Sequence, residues 1–273
     1  MTAAQDIPYL QTDSGPVLAR LYRPQSPNGA AVVSVHGGRW VSQDRLTNAV
    51  IDEALAAAGV AVMALDFRMP PLVRYPVPVS EINFAIRWLK QHANELGASA
   101  DRVGAVGTSS GGHQIMLNAL RPRDARYAAL AGDGGHGAEL AFAVACWPVL
   151  DPLARYRMAK ERKMELHVKS HDAYWPDEAA MAEGNPQLIL ERGEAVKLPP
   201  VLLIQGMADT TVLPEMTARF AATYRARGGE ATLETYAAQP HTFITNSPDI
   251  PESCAAIKMI EQFVVREGQK IRT

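Results

Sequence analysis

The sequence contains only two cysteines, Cys146 and Cys254, among 273 residues. Two cysteines are too few for the disulfide framework that stabilises small secreted domains. Neither cysteine has a histidine or a glycine turn nearby that would activate its thiol. Both are therefore interpreted as buried small hydrophobes, and a reducing cytoplasm is the expected location.

Long apolar runs and a strong net charge are also absent. No run approaches the roughly 20 apolar residues that cross a bilayer, and the first ten residues lack the basic start and apolar core of a signal peptide. The formal net charge of -2 gives no general attraction for nucleic acid or for an anionic membrane. Small molecules are the expected partners.

The chain also lacks internal repeats, low-complexity tracts and any stretch that resembles a domain linker. With 47% hydrophobic residues, its 273 residues can bury the core of one α/β domain, although length alone would also permit two. Short apolar runs alternate with helical patterns along most of the sequence, which is typical of the α/β class. A single domain over residues 1–273 is predicted.

The strongest local signal is the turn Gly107-Thr-Ser109-Ser-Gly111, which follows an apolar run and precedes a helix-compatible segment. The pattern matches a nucleophile elbow, in which a serine on a strained turn between strand and helix exposes its hydroxyl. Glycine is needed on both sides because other side chains would crowd the turn. Ser109 is the predicted nucleophile. Ser110 competes with it, but Thr108 stands where the glycine before that serine should be.

A second glycine-containing turn, His36-Gly37-Gly38-Arg39-Trp40, follows a buried strand predicted over Ala30 to Val35. Its backbone N–H groups lie just beyond a strand end, where α/β sheets bind ligands. The amides of Gly38 and Arg39, with that of Ser110, are the predicted oxyanion hole.

Ser109, Asp209 and His241 occur in the order nucleophile, acid, base, each directly after a predicted strand. This order and placement favour a serine triad, in which His241 accepts the serine proton while Asp209 orients the imidazole and stabilises its charged form. Two aspartates compete with Asp209. Asp151 also ends a strand, but within a proline-containing turn, and Asp172 lies farther away in the following insertion.

Between residues 152 and 197 the alternation of strand and helix breaks down, and charge clusters appear. Broken helical patterns over this length predict a lid inserted between strands 6 and 7 rather than a bare loop. Lids over active sites commonly supply aromatic walls to a pocket. Tyr174 and Trp175 are therefore predicted to contact substrate, although a lid core would explain them equally well.

Gly37, Trp40 and His113 complete the predicted substrate-binding residues. His113 directly follows the elbow glycines, and the favoured alternative for it is a hydrogen bond to the backbone beneath the turn. His36 is expected to brace the oxyanion loop by hydrogen bonding.

No cofactor or metal is predicted. His167 and His171 could share a helical face, but no carboxylate or third ligand completes a zinc site. The spacing Gly132-x-Gly134-x-x-Gly137 matches a dinucleotide fingerprint only superficially, because these glycines precede a strand-like segment instead of opening a helix. A loop is predicted over Ala131 to Gly137, with Asp133 as part of it.

These motifs together resemble the carboxylesterases of the α/β-hydrolase fold, in particular the groups similar to hormone-sensitive lipase and to arylformamidase. The resemblance rests on the glycine turn with Trp40, the strand exit Leu65-Asp66-Phe67-Arg68, the elbow through His113, and the residues Asp209 and His241. It covers nearly the whole chain from about Ala30 onward. It implies a mostly parallel eight-stranded sheet flanked by helices.

The resemblance also implies the hydrolysis of small carboxylic esters through an acyl-enzyme. Amide or carbamate hydrolysis by the same residues, including the hydrolysis of arylformamides, is the alternative. A non-catalytic small-molecule receptor on the same fold is the alternative of a different class. Homodimer formation through the sheet edge is implied by the resemblance alone.

Two residues depart from the pattern of the lipase-like group. Arg39 stands where a third glycine is usual, and Thr242 stands where a glycine usually follows the histidine. For Arg39 two interpretations remain open. Its guanidinium could hold a substrate carboxylate, or it could form a salt bridge to the lid.

Overall fold

The computed structural model describes residues 3–132 and 135–270. Within these residues the chain forms eight strands and ten α-helices. The strands are β1 (Ala3–Thr12), β2 (Gly15–Arg23), β3 (Gly29–Val35), β4 (Ala61–Leu65), β5 (Ala98–Thr108), β6 (Ala143–Cys146), β7 (Val201–Gly206) and β8 (Ala231–Tyr236). The helices are α1 (Ala49–Ala57), α2 (Val77–Gln91), α3 (Ser110–Leu120), α4 (Pro152–Glu161), α5 (Glu165–Tyr174), α6 (Glu178–Glu183), α7 (Pro186–Glu191), α8 (Pro214–Ala226), α9 (Phe243–Asn246) and α10 (Pro251–Gln269).

All eight strands belong to one sheet, in the order β1-β2-β4-β3-β5-β6-β7-β8. β1 and β2 form an antiparallel hairpin, and β2 is also antiparallel to β4. The remaining pairs are parallel, from β4 beside β3 to β7 beside β8. The mostly parallel eight-stranded sheet of the α/β-hydrolase fold is therefore confirmed.

The central strands are apolar along their whole length because helices cover both faces of the sheet. Successive residues of β3 show this, since Val33 packs in a core with α2, α3 and α8, whereas Val32 packs in a second core with α1 and α10. Residues that alternate along a strand point to opposite faces. The sheet therefore lies between two hydrophobic cores.

Parallel pairing brings the ends of β3, β5, β7 and β8 to one edge of the sheet. In the register, Val35 at the end of β3 lies opposite Gly107, and Gly206 at the end of β7 lies opposite Tyr236. The loops that follow these strands therefore meet at the carboxyl edge, where ligands bind in open α/β sheets.

The segment between β6 and β7 folds into the four helices α4 to α7. Side-chain oxygens of Asp151, Asp177 and Asn185 cap the first turns of α4, α6 and α7. Such caps satisfy amides that have no partner within the helix. The broken helical patterns of residues 152–197 thus correspond to four short helices, of which α4, α6 and α7 begin with a side-chain cap.

The two cysteines lie in different surroundings. Cys146 is buried in β6, and burial raises the pKa of its thiol, but Cys254 is exposed on α10 and its prediction as a buried residue is wrong. The helix buries the neighbouring Ser253 and Ala256 instead. In the predicted loop over residues 131–137, Asp133 and Gly134 lie outside the described residues, and the others are not in helix or strand.

Among the helices of residues 3–132 and 135–270, none is both long enough and apolar enough to traverse a bilayer.

A matched pair of leucine substitutions tests the packing of the central sheet. Leu203 in β7 is 0% exposed, whereas Leu72 is 66% exposed. Leu203→Ala leaves a cavity in the core and should lower the free energy of unfolding by about 2 to 5 kcal/mol. Leu72→Ala should change it by less than about 0.5 kcal/mol. Urea unfolding monitored by circular dichroism measures both, and equal effects would contradict the assigned core.

Candidate active site

Ser109 lies on the turn between β5 and α3, with backbone angles of φ 51° and ψ -115°. This conformation is strained for a residue with a side chain. A Cβ at Gly107 would lie 2.7 Å from the carbonyl carbon of Gly111, and a Cβ at Gly111 would overlap the carbonyl oxygen of Val35. The glycines on both sides of the serine are therefore required by the packing of the turn.

Ser109, His241 and Asp209 form a continuous line of hydrogen bonds. Nδ1 of His241 is 2.7 Å from Oδ2 of Asp209, and Nε2 of His241 is 3.0 Å from Oγ of Ser109. With the Nδ1–H donating to the carboxylate, Nε2 is free to accept the serine proton. The geometry is suited to generating an alkoxide nucleophile at Ser109.

The carboxylate of Asp209 is held by donors on both oxygens. Oδ1 accepts from the amides of Thr211 at 2.8 Å and Val212 at 2.9 Å. Oδ2 accepts from Nε2 of Gln205 at 3.2 Å in addition to His241. Gln205 was not singled out by the sequence, where a buried strand residue carries no signal for such a role.

The competing residues make other contacts. Asp151 accepts from the amide of Ala154 at 3.0 Å and from Asn185 at 2.7 Å, so it caps α4. Asp172 accepts from the hydroxyl of Tyr156 at 2.6 Å. The hydroxyl of Ser110 is buried and accepts from the amide of Trp40 at 3.0 Å. None of these contacts involves His241.

The oxyanion loop after β3 adopts a left-handed backbone over three consecutive residues. Gly38, Arg39 and Trp40 have φ values of 87°, 56° and 64°. A Cβ at Gly38 would overlap the carbonyl oxygen of Ser42. The amides of Gly38 and Arg39 have no hydrogen-bond acceptor within the described part of the chain, and neither does that of Ser110. These three amides are therefore free to donate to a bound ligand.

Hydrogen bonds of His36 and of Ser110 hold the loop in place. Nδ1 of His36 donates to the carbonyl oxygen of Gly37 at 3.0 Å, and the imidazole stacks on Phe67 at a centroid distance of 4.4 Å. His36 thus lies where the sequence predicted a bracing residue. Gly37 lines the cavity beside Ser109.

Both departures from the lipase-like pattern fall on left-handed backbone. Arg39 has a φ of 56° and Thr242 a φ of 61°, in the region that favours glycine. The hydroxyl of Thr242 donates to the carbonyl oxygen of His241 at 2.6 Å and accepts from Asn246 at 2.9 Å. The chain therefore keeps the backbone of the glycine-containing pattern while it presents side chains at both positions.

Four residues predicted to contact substrate lie instead in a buried aromatic cluster. Trp40, His113, Tyr174 and Trp175 are each 1% exposed or less. The indole Nε1 of Trp40 donates to Nδ1 of His113 at 3.1 Å, and its ring stacks on Tyr174 at 5.1 Å. Nε2 of His113 donates to the carbonyl oxygen of Gly184 at 2.8 Å. The prediction of pocket walls is corrected, because the aromatic surfaces pack against one another between the elbow and the inserted helices.

A cavity of about 280 Å³ opens beside Ser109 and His241. Its walls include the predicted residues Gly37, Gly38 and Arg39, and also residues that the sequence did not single out for substrate contact. Among the latter are Trp147, His167, Thr211, Thr242, Thr245 and Asn246. The position of Trp147 directly after β6 was the available signal, since strand ends of this sheet face the site.

The described residues contain no group of three histidine, cysteine or acidic side chains placed to hold a metal ion. His167 and His171 do share α5, but Nδ1 of His171 donates to the backbone oxygen of His167 at 2.8 Å.

Buried histidines of the aromatic cluster should make stability depend on pH. Burial lowers the pKa of His113 from 6.5 to about 4. Between these values the unfolded chain binds a proton that the folded chain does not, so stability rises with pH and falls on acidification. Lowering the pH from 7.5 to 5 should therefore remove about 2 kcal/mol through His113 alone.

Urea unfolding at both pH values measures this effect. In His113→Gln the amide can accept from Trp40 and donate to Gly184, and the loss of stability between pH 7.5 and 5 should be smaller than in the wild type. His136→Gln, at an exposed position, controls for the loss of one histidine. An unchanged pH dependence in His113→Gln would contradict the assignment.

The sequence matches a known protein family. A family model described as the alpha/beta hydrolase fold matches residues 32–245. An arylesterase of Saccharolobus solfataricus is 31% identical over 107 residues, which are 38% of this chain and 35% of the relative. An acetyl esterase of Salmonella enteritidis is 32% identical over 124 residues, or 45% of this chain and 37% of the relative. The matched region thus spans little more than a third of each curated relative.

Solved structures match over nearly the whole chain. A thermophilic esterase of Thermogutta terrifontis with propionate bound has a TM-score of 0.78 at 23% identity, covering 99% of this chain and 96% of that one. A hyperthermophilic esterase of Pyrobaculum calidifontis has a TM-score of 0.79 at 22% identity, covering 97% and 85%. At these identities the likeness establishes the fold. Since the family model extends from β3 to beyond His241, more than half of the sequence, the chain belongs to the alpha/beta hydrolase fold family.

Proposed function

We propose that this chain is a serine hydrolase that cleaves small carboxylic esters through an acyl-enzyme. The observation that carries the proposal is the line of hydrogen bonds from Asp209 through His241 to a strained Ser109 at a cavity. The names of the curated relatives, an arylesterase and an acetyl esterase, support an ester as the substrate class. Amide hydrolysis has no such support.

In the proposed reaction, Oγ of Ser109 attacks the ester carbonyl while Nε2 of His241 takes its proton. Asp209 stabilises the resulting imidazolium through Nδ1–H. The tetrahedral oxyanion accepts hydrogen bonds from the amides of Gly38, Arg39 and Ser110. Loss of one such donor typically raises the barrier by about 3 to 4 kcal/mol.

Collapse of this intermediate breaks the ester C–O bond. His241 returns the proton to the departing oxygen, so that an alcohol leaves and the acyl group remains on Ser109. Water then attacks the acyl carbonyl with its proton going to His241. A second collapse releases the carboxylic acid and regenerates the serine hydroxyl.

We also propose that residues 152–197 act as a cover that belongs to a single hydrolase domain over residues 1–273. Tyr174 of this segment stacks on Trp40, and the carbonyl oxygen of Gly184 accepts from His113. His167 on α5 forms part of the cavity wall. These contacts support a cover that is packed onto the oxyanion loop.

A cytoplasmic location and a homodimer are further proposals. Cys146 and Cys254 are free thiols, which is compatible with a reducing compartment. β8 is the last strand of the sheet, and its outer edge could pair with a second copy of the chain.

Substitution of the triad tests the proposed mechanism. Ser109→Ala and Asp209→Asn should each lower kcat for 4-nitrophenyl acetate by on the order of 10⁴-fold or more, because they remove the nucleophile or the correct tautomer of His241. Asp151→Asn is the matched control, since asparagine can also cap α4 and the wild-type rate should remain. Release of 4-nitrophenol measures all three variants.

The outcomes separate the alternatives. Equal turnover by the wild type and Ser109→Ala would refute the assignment of the nucleophile. Turnover of a formanilide without turnover of esters would favour the amide hydrolase. Binding of esters and amides without any turnover would favour the receptor.

The size of the cavity predicts a preference for short acyl groups. A volume of about 280 Å³ lies at the lower end of ligand pockets. Across 4-nitrophenyl esters from acetate to decanoate, kcat/KM should be highest between acetate and butyrate and should fall at least about tenfold by decanoate, because longer chains must displace wall residues. The constant leaving group serves as the control. A steady rise toward decanoate would contradict this volume as the acyl site.

A further inference from the structure

The cavity beside Ser109 is lined by an arginine and by no acidic side chain. Nε of Arg39 is buried without a hydrogen-bond partner, and within residues 3–132 and 135–270 the guanidinium forms no ion pair. The salt bridge to the inserted helices that the sequence left open is therefore not formed. Arg39 instead lines the cavity beside Ser109.

A second arginine lies behind the same wall. Arg155 of α4 is 1% exposed, and both of its terminal nitrogens lack a hydrogen-bond partner within the described residues. Its Nε donates to the carbonyl oxygen of Thr211 at 3.1 Å, and Thr211 lines the cavity. Its guanidinium lies 5.9 Å from the centre of the Trp40 ring.

Arg155 keeps its charge at neutral pH. Burial lowers its pKa to about 10, the carboxylate of Asp209 opposes this change, and the positive charge of Arg39 adds to it. The charges of the two guanidinium groups therefore oppose each other. A buried cation with unused donors destabilises a protein unless an anion completes its interactions.

Several other arginines of restricted exposure have carboxylate partners. Arg45 pairs with Asp6 and Asp66, Arg68 with Glu81, and Arg121 with Glu183 and Glu194. Arg87 donates instead to Asn83 and to the carbonyl oxygen of Leu130. These guanidinium groups have acceptors where they only stabilise structure. A departure from such a structural regularity, here a buried arginine without an anionic partner, is commonly found at a functional site.

His167 shows the same positive potential on this wall. Burial, together with the charges of Arg155, Arg39 and His241, lowers its pKa to about 4. Its imidazole is therefore neutral near pH 7 and has an N–H to donate. Arg39 and His167 thus line the cavity beside the candidate catalytic serine, and the buried charge of Arg155 lies behind them.

We propose that the ester cleaved at Ser109 carries a carboxylate a few bonds from the scissile carbonyl, held by Arg39 with His167 as a further donor, while the buried charge of Arg155 behind the wall adds to the attraction. Guanidinium groups bind carboxylates through paired, charge-assisted hydrogen bonds. The inference rests on the proposed ester hydrolysis and narrows its substrate class. The carboxylate belongs either to the acyl part or to the alcohol part, and the two sources are separated by experiment.

Two pairs of substrates test the inference in purified protein. In the acyl arm, mono-4-nitrophenyl glutarate is compared with 4-nitrophenyl pentanoate. In the alcohol arm, 4-acetoxybenzoate is compared with 4-acetoxybenzamide. In one arm the wild type should prefer the anionic member by about tenfold or more in kcat/KM.

Arginine variants then connect the preference to the site. Arg39→Gln should lower the ratio of anionic to neutral kcat/KM by about 10- to 100-fold, and Arg39→Lys should retain part of it. The ratio of anionic to neutral kcat/KM is the readout because a change at the backbone amide of Arg39 would affect both substrates equally. Arg157→Gln is the matched control, since it removes an equal charge from α4 at an exposed arginine paired with Glu178. Its ratio should equal that of the wild type.

The inference is overturned if the ratio in both arms is the same for the wild type and Arg39→Gln. Neutral esters would still be cleaved in that case, and the proposed function would stand. Loss of the proposed function would show instead as ester turnover that Ser109→Ala leaves unchanged.

A binding measurement covers the case in which none of these esters is turned over. Glutarate should raise the melting temperature of the wild type, because a ligand that binds only the folded state stabilises it. Glutaramide should not, and Arg39→Gln should lose the response. Equal shifts with both compounds, or no shift with glutarate, would count against an anion site.

Discussion

The conformation of Ser109 is the constraint on which the candidate site depends. Its left-handed backbone turns the chain from β5 into α3 within one residue. The turn is possible because Gly107 and Gly111 approach so closely that neither tolerates a Cβ, and Gly111 rests against the end of β3. The elbow and the oxyanion loop are therefore in backbone contact. Neither the serine nor the amides can move far without displacing the other.

Much of the fold and the whole hydrogen-bonded line were predictable from sequence because their signals are local. Ser109, Asp209 and His241 each follow a short apolar run, and parallel strands bring such positions to one edge of the sheet. Glycine spacing identified the elbow for the same reason. The catalytic roles of these residues are still a proposal, but their convergence in space follows directly from chain order and strand direction.

The cavity walls were not predictable in this way, because their positions depend on tertiary packing. His167 of α5 lines the cavity and Arg155 of α4 is buried behind it, and no periodic pattern in those helices shows which side chain will approach Ser109. For the same reason, the sequence could not show whether Tyr174 and Trp175 line the cavity, and they were predicted to do so. They pack on Trp40 instead, since large aromatic surfaces gain most from full burial.

Trp40 connects the oxyanion loop to the inserted helices through its side-chain contacts. Its amide donates to Ser110, its indole donates to His113, and its ring lies against both Tyr174 and the guanidinium of Arg155. A carboxylate bound by Arg39 and His167 would link this loop to the inserted helices. Binding energy from a group remote from the reaction would then help to position the oxyanion amides. An anionic substrate would consequently gain in kcat as well as in KM, which a neutral substrate of the same length could not do.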